Sequence, residues 1–83
     1  MTIKRSRLLA RVEADLDAAQ RGGQQLQAHT LRAQHAMLLI RQGDLDGARA
    51  DLTVLHQAAF ASPHPQLAAW LHLAEGLMAY YTD

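Results

Sequence analysis

The chain contains no cysteine and no long apolar run, and these two absences exclude several classes of protein. Without cysteine there is neither a disulfide framework nor a thiolate metal site. No stretch approaches the roughly 18 consecutive apolar residues that a membrane-spanning helix needs. The basic N-terminus is not followed by the apolar core of a signal peptide. We therefore expect a cytoplasmic protein with no membrane partner.

An excess of charge of one sign is also missing, and so are the residues that favour strands. Eight basic residues balance eight acidic ones, so no net field draws the chain to nucleic acid or to a membrane surface. Val, Ile, Thr and aromatic residues are sparse, whereas the strong helix formers Ala, Leu, Gln and Arg are abundant. The composition predicts an all-α fold in one domain over residues 1–83.

Turn residues divide the chain into four predicted helices, over residues 3–21, 24–42, 45–61 and from 65 or 66 onward. Gly22–Gly23 ends the first helix, with Thr2 as a possible cap at its start. Gly43 is suited to the left-handed conformation that stops a helix, and Asp44 to capping the next one. Pro63 ends the third helix. Because helices joined this tightly lie antiparallel, we expect four antiparallel helices as two stacked helical hairpins.

Apolar residues at helical spacing predict the buried face of each helix. In the third helix this face excludes Asp51, which is predicted to point outward with Arg49 and Gln57. Trp70 is predicted to fill the core, and at least one of the adjacent Tyr80 and Tyr81 to be exposed. The predicted apolar stripes are Leu8, Leu9, Val12, Leu16 and Ala19; Leu31, His35, Leu38 and Leu39; Leu45, Ala48, Leu52, Leu55 and Ala59, with Val54 and Phe60 at the edges; and Leu67, Trp70, Leu71, Leu73, Ala74, Leu77, Met78 and Tyr81.

Two parts of the sequence suggest a helix-pair repeat. Ala14–Asp15–Leu16 matches Ala50–Asp51–Leu52, and the offsets between matching helices are about 36 to 39 residues, which is typical of an α-solenoid. After the turn glycine Gly43, the positions of Ala48, Leu52 and Leu55 resemble the spacing of the tetratricopeptide repeat (TPR) family. The remaining positions that carry the resemblance are Trp70, Leu73, Ala74 and Leu77.

The resemblance implies a TPR-like α-solenoid fragment, with a generic antiparallel bundle as the alternative. Pro63 arrives about three residues later than the family pattern, and Leu31 or Arg32 stands where the family prefers tryptophan. The stretch from Ala69 to Tyr81 is similar to divergent TPR regions of bacterial regulators with GGDEF-type diguanylate cyclase or LuxR-type DNA-binding domains. That similarity implies that residues 1–83 form the N-terminal part of a longer protein.

No residue pattern indicates catalysis, a metal site or a bound cofactor. The five histidines include no pair four residues apart and no HExxH motif. Glu13, Asp15 and Asp17 alternate along a helix, so they point in different directions. No phosphate-binding glycine loop or nucleophile motif is present. We expect His35 to pack at a helix interface, the other histidines to lie at the surface, and the chain not to be an enzyme.

The predicted function is therefore a non-catalytic interaction module that binds a protein partner or a second copy of itself. The predicted interaction residues lie on the last helix: Leu73, Leu77, Tyr80 and Tyr81. One alternative is a ligand-sensing regulatory segment of a bacterial diguanylate cyclase or transcription factor. Another is phosphate contact by the basic first helix, which lacks an adjacent base-reading side chain; its basic residues are Lys4, Arg5, Arg7 and Arg11.

Overall fold

Four α-helices make up the regular structure of the computed structural model, which describes residues 7–82. They are α1 (Arg7–Arg21), α2 (Gln25–Arg41), α3 (Leu45–Ala61) and α4 (Pro65–Thr82). No strand occurs in this range, so the predicted all-α class is confirmed. The predicted boundaries of the second and third helices agree to within one residue. The predicted beginning of the first helix, with its possible cap Thr2, lies outside the described residues.

The same backbone motif ends α1 and α2. Gly23 and Gly43 both have a positive φ, of 70° and 86°. One residue later, the N–H of Gln24 donates to the Ala19 carbonyl at 3.0 Å, and the N–H of Asp44 donates to the Leu39 carbonyl at 2.9 Å. These bonds satisfy carbonyl groups that a helix end would otherwise leave unpaired.

Only the second of these two turns also caps the helix that follows it. Asp44 accepts a hydrogen bond from the Gly47 N–H at 2.9 Å, whereas the Gln24 side chain makes no such bond. The turn predicted at Gly43–Asp44 is therefore confirmed in both its parts, the left-handed glycine and the aspartate cap.

The helices follow one another at a regular interval. The three connections are residues 22–24, 42–44 and 62–64, and α2 begins at residue 25 whereas α4 begins at residue 65. A helix pair thus recurs every 40 residues, slightly more than the 36 to 39 expected from the sequence matches. This interval also exceeds the roughly 34 residues of a TPR unit.

The second helix is the centre of the fold, because α1, α3 and α4 all pack against it. Within residues 7–82, the backbone of α1 approaches only α2, whereas α3 and α4 also pack against each other. One cluster of buried side chains joins α2, α3 and α4, and a second joins α1 and α2. A third combines all four helices, with buried Leu9, Leu39, Ile40 and Ala48 next to Leu77 and Met78. Trp70 packs against the first cluster, as predicted.

The predicted burial of Leu8 and the predicted exposure of Asp51 are wrong, and helix packing explains both. Leu8 is 57% exposed beside the buried Leu9, because consecutive residues differ by about 100° around a helix and α1 has one neighbouring helix. Phe60 is 92% exposed near the end of α3. Leu73 and Tyr81, two of the predicted interaction residues of α4, are exposed as well. Conversely, Asp51 is buried.

Candidate functional site

Four charged or titratable side chains from three helices meet at the centre of the molecule, and we call them the His35 cluster. Glu13 comes from α1, Arg32 and His35 from α2, and Asp51 from α3. The Nε2 atom of His35 lies 2.9 Å from Glu13 Oε2, and its Nδ1 atom is hydrogen-bonded to Asp51 Oδ2. Arg32 Nη1 donates to the other Asp51 oxygen, Oδ1, at 3.1 Å.

Asp51 is the most buried member of the cluster, with 5% of its surface exposed. A desolvated carboxylate is strongly unfavourable unless donors replace the water it has lost. Here each carboxylate oxygen has its own donor, one on His35 and one on Arg32. No fully buried side-chain nitrogen or oxygen atom in the described part of the chain lacks a hydrogen-bond partner. The cluster is therefore a satisfied polar network.

The two hydrogen-bond partners of the His35 ring are both carboxylates. A neutral imidazole has one N–H donor, whereas the imidazolium has two. Both ring nitrogens of His35 face a carboxylate oxygen, and only the imidazolium donates to both. In that form two cations and two carboxylates balance, and α1 and α3 are bonded to the same side chain of α2.

The surroundings of His35 were predicted correctly from the sequence, and those of Asp51 were not. The prediction that His35 packs at a helix interface is confirmed, and Asp15 and Asp17 are exposed as their alternation implies. The prediction that Asp51 points outward is wrong, because α3 packs on two helices and a wider stripe of its surface is covered. Asp51 lies three residues after the buried Ala48 and four before the buried Leu55, but this spacing is no signal by itself, because the exposed Asp15 has the same spacing to buried residues.

A groove of about 380 Å³ opens beside this cluster, between the ends of α1 and α3. Its alanine floor is made by Ala19, Ala28, Ala58 and Ala61, and Arg32 and His29 also line it. Burial, and secondly the nearby charge of Arg32, lower the pKa of His29 below its usual value. Of all the residues lining the groove, only Arg32 bears a permanent charge.

The last helix carries an exposed apolar surface. Its outward positions at helical spacing are Ala69, Leu73, Gly76 and Tyr80, which we call the α4 outer face. Leu73 is 57% and Tyr80 78% exposed. Apart from the nearby backbone of α4 itself, no atom of the described residues lies within 4 Å of where a Cβ on Gly76 would stand, so the backbone of another helix has room to approach there. Within residues 7–82, no other backbone packs against this glycine.

The other two predicted interaction residues occupy different surroundings. Tyr81 is half-exposed, and its ring meets that of Tyr80 edge to face at 5.4 Å. Leu77 is half-buried against the cluster that contains Leu9 and Ile40. The structure thus leaves Leu73, Tyr80 and Tyr81 accessible and places Leu77 at the border between the core and the surface.

The α4 outer face carries no charge. Among the residues of α4, only Glu75 is an Asp, Glu, Lys or Arg, and it pairs with His56 Nε2 of α3 at 3.1 Å. A helix that is apolar around most of its circumference is usually covered on more than one side. Here α2 and α3 cover one side of α4.

Other predicted sites remain separate from these surfaces. Arg7 and Arg11 are exposed on α1, while Lys4 and Arg5 lie outside the described residues. In the described part of the chain, no three His, Cys, Asp or Glu side chains are arranged to hold a metal ion. Likewise, no helix between residues 7 and 82 has the length and apolarity to cross a membrane.

Comparison with known proteins gives no significant match to a family model, a curated protein or a solved structure.

Proposed function

We propose that this chain is a non-catalytic, TPR-like helical interaction module that self-associates through the α4 outer face. The observation that carries this proposal is the exposure of Leu73 and Tyr80 on a helix whose outer face is uncharged. Contiguous exposed apolar side chains are a common feature of interaction sites. The resemblance of residues 69–81 to bacterial regulators supports a place in a bacterial signalling protein.

A second copy is the occupant that this face fits best. An uncharged face offers no charge pattern for a charged partner to complement. Leu73 and Tyr80 are also symmetric about Gly76–Leu77, so a twofold axis at that point places Leu73 of one copy opposite Tyr80 of the other. Gly76 then lies at the crossing point, where the missing Cβ lets two antiparallel helices approach closely. Such a self-complementary contact is the kind that closed dimers use.

The size of the face sets the expected affinity. An 18-residue helix is about 27 Å long, and one face of it offers less than the roughly 800 Å² per partner of a standard stable interface. We therefore expect a reversible dimer with a Kd of about 10–100 µM.

Sedimentation velocity over a concentration series tests the proposal. Wild type should shift from monomer to dimer as its concentration passes through this range, and Leu73→Glu should remain monomeric because the contact would bury a carboxylate without a partner. Leu8→Glu is the matched control, since Leu8 is also 57% exposed but lies on α1. A monomeric wild type at high micromolar concentration would refute self-association. If Leu8→Glu loses the dimer and Leu73→Glu keeps it, the contact lies on α1 and not on α4.

The groove favours one alternative, a ligand-sensing segment. Its volume of about 380 Å³ lies within the range of small-molecule sites. In a thermal-shift screen, a ligand bound there should stabilise wild type but not Ala61→Trp, because Ala61 lines the groove and is exposed. Equal stabilisation of both proteins would place the ligand elsewhere.

A further inference from the structure

The first helix packs mainly on α2, and its buried Leu9 also joins the cluster that includes side chains of α3 and α4. Within residues 7–82, its backbone approaches α2 alone, and the contact consists mainly of Val12, Leu16 and Ala19 against Ala28 and Leu31. In the His35 cluster, the polar contact between α1 and α2 is the bond between Glu13 and His35. The strength of that bond therefore contributes directly to the docking of α1.

Protonation of His35 determines whether that bond exists. The charged groups facing His35 are Glu13 from α1, Asp51 from α3 and, beside Asp51 on α2, Arg32. When the imidazolium loses a proton, one N–H remains for two carboxylates. The side chain of Asp51 is 7% exposed and that of Glu13 is 34% exposed. Because water reaches Glu13 and scarcely reaches Asp51, the remaining N–H stays with Asp51.

We propose that His35 is a proton-dependent latch for α1. In the charged state His35 bonds both neighbouring helices and holds α1 on α2. In the neutral state Nε2 presents a lone pair to the Glu13 carboxylate, and Glu13 turns toward water. The fold of α2, α3 and α4 is unaffected, because Arg32 and the remaining N–H of His35 still satisfy Asp51. The proton thus controls α1 separately from the other three helices.

Opening the latch changes the surface of the protein. When α1 lifts, Ala28 and Leu31 of α2, which are now less than one tenth exposed, become accessible. Ala28 and Leu31 form an apolar strip along α2, and His35 lies on the same face of the helix, four residues after Leu31. This strip of α2 is therefore exposed more often in the neutral state than in the charged state.

Amide hydrogen exchange measured by NMR on the full chain tests the latch. The exchange rates of α1 and α3 amides, divided by their intrinsic rates, are compared at about pH 5 and about pH 8.5, and the His35 ring signals report its protonation. We expect the opening of α1 relative to α3 to rise by about five- to tenfold between the charged and the neutral state of His35, as for one partly exposed charge-assisted hydrogen bond.

Two variants separate the latch from general effects of pH. In Glu13→Gln, the side-chain amide can donate to a neutral imidazole or accept from a charged one, so the change in α1 opening should fall below about twofold. His56→Gln removes the histidine–carboxylate pair between α3 and α4 and should keep the wild-type change. A histidine that stays protonated throughout, or equal pH dependence in wild type and Glu13→Gln, would overturn the proposal.

Discussion

Replacing Asp51 by Ala should strongly destabilise the protein, and the chain provides its own control for this change. Asp51 and Asp15 occur in the same triplet, Ala-Asp-Leu, within a helix. Asp51 is buried between its two donors, whereas Asp15 is exposed. The same substitution at both positions changes helix propensity equally, so the difference between the variants measures the network around Asp51.

The expected size of the effect follows from the groups left behind. Removing one partner of a buried ion pair destabilises by about 3–5 kcal/mol. The side chains of Arg32 and His35 are 19% and 14% exposed, so water can partly replace the lost carboxylate, and we expect about 2–4 kcal/mol. Asp15→Ala should change the free energy of unfolding by no more than about 0.5 kcal/mol. The total free energy of unfolding of a protein of this length is about 4–12 kcal/mol.

Urea unfolding followed by circular dichroism measures both variants, at a concentration low enough to keep the chain monomeric. With a slope of about 1 kcal/mol per molar urea, Asp51→Ala should lower the unfolding midpoint by about 2–4 M relative to Asp15→Ala. Midpoints for the two variants that agree within about 0.5 M would refute the reasoning, because the network would then contribute nothing beyond what an exposed aspartate does.

Three further predictions concern four single substitutions, each measured by urea unfolding of the dilute protein. Gly76→Ala should stabilise the folded protein by about 1 kcal/mol because there is space for the added methyl group. Gly47→Ala should destabilise it because the new Cβ would lie 2.8 Å from Asp44 Oδ2. Stabilisation by both substitutions would contradict this prediction. Asp44→Ala should destabilise by about 1 kcal/mol through loss of the cap, and no change would contradict it. Burial lowers the pKa of His29 in the folded state, so the stability that neutral His29 contributes is complete above the pKa of the unfolded state and is lost as pH falls. His29→Gln should therefore become more stable relative to wild type as pH falls from about 8 to about 5. A difference in stability that stays constant over this range would contradict this prediction.

The helices and turns could be predicted because their signals are local. A glycine that permits positive φ and an aspartate that caps lie within a few residues of the groups they satisfy. Gly43 and Asp44 therefore fixed the boundary between α2 and α3 without knowledge of the rest of the fold. The exposure of Leu8 and Phe60 was not predictable in this way, because it depends on which helices pack against each position.

The same distinction explains why the His35 cluster was missed. Asp15 lies three residues after Val12 and four before Ala19, and Asp51 lies three after Ala48 and four before Leu55; all four of these flanking residues are buried. By helical spacing alone the two aspartates are equivalent, yet one is exposed and the other is among the most buried polar side chains described. The difference arises because α3 has two neighbouring helices, and one of them presents Arg32 and His35 toward Asp51. Burial of a charge requires donors from elsewhere in the fold, so its position follows from helix packing and not from the pattern of one helix.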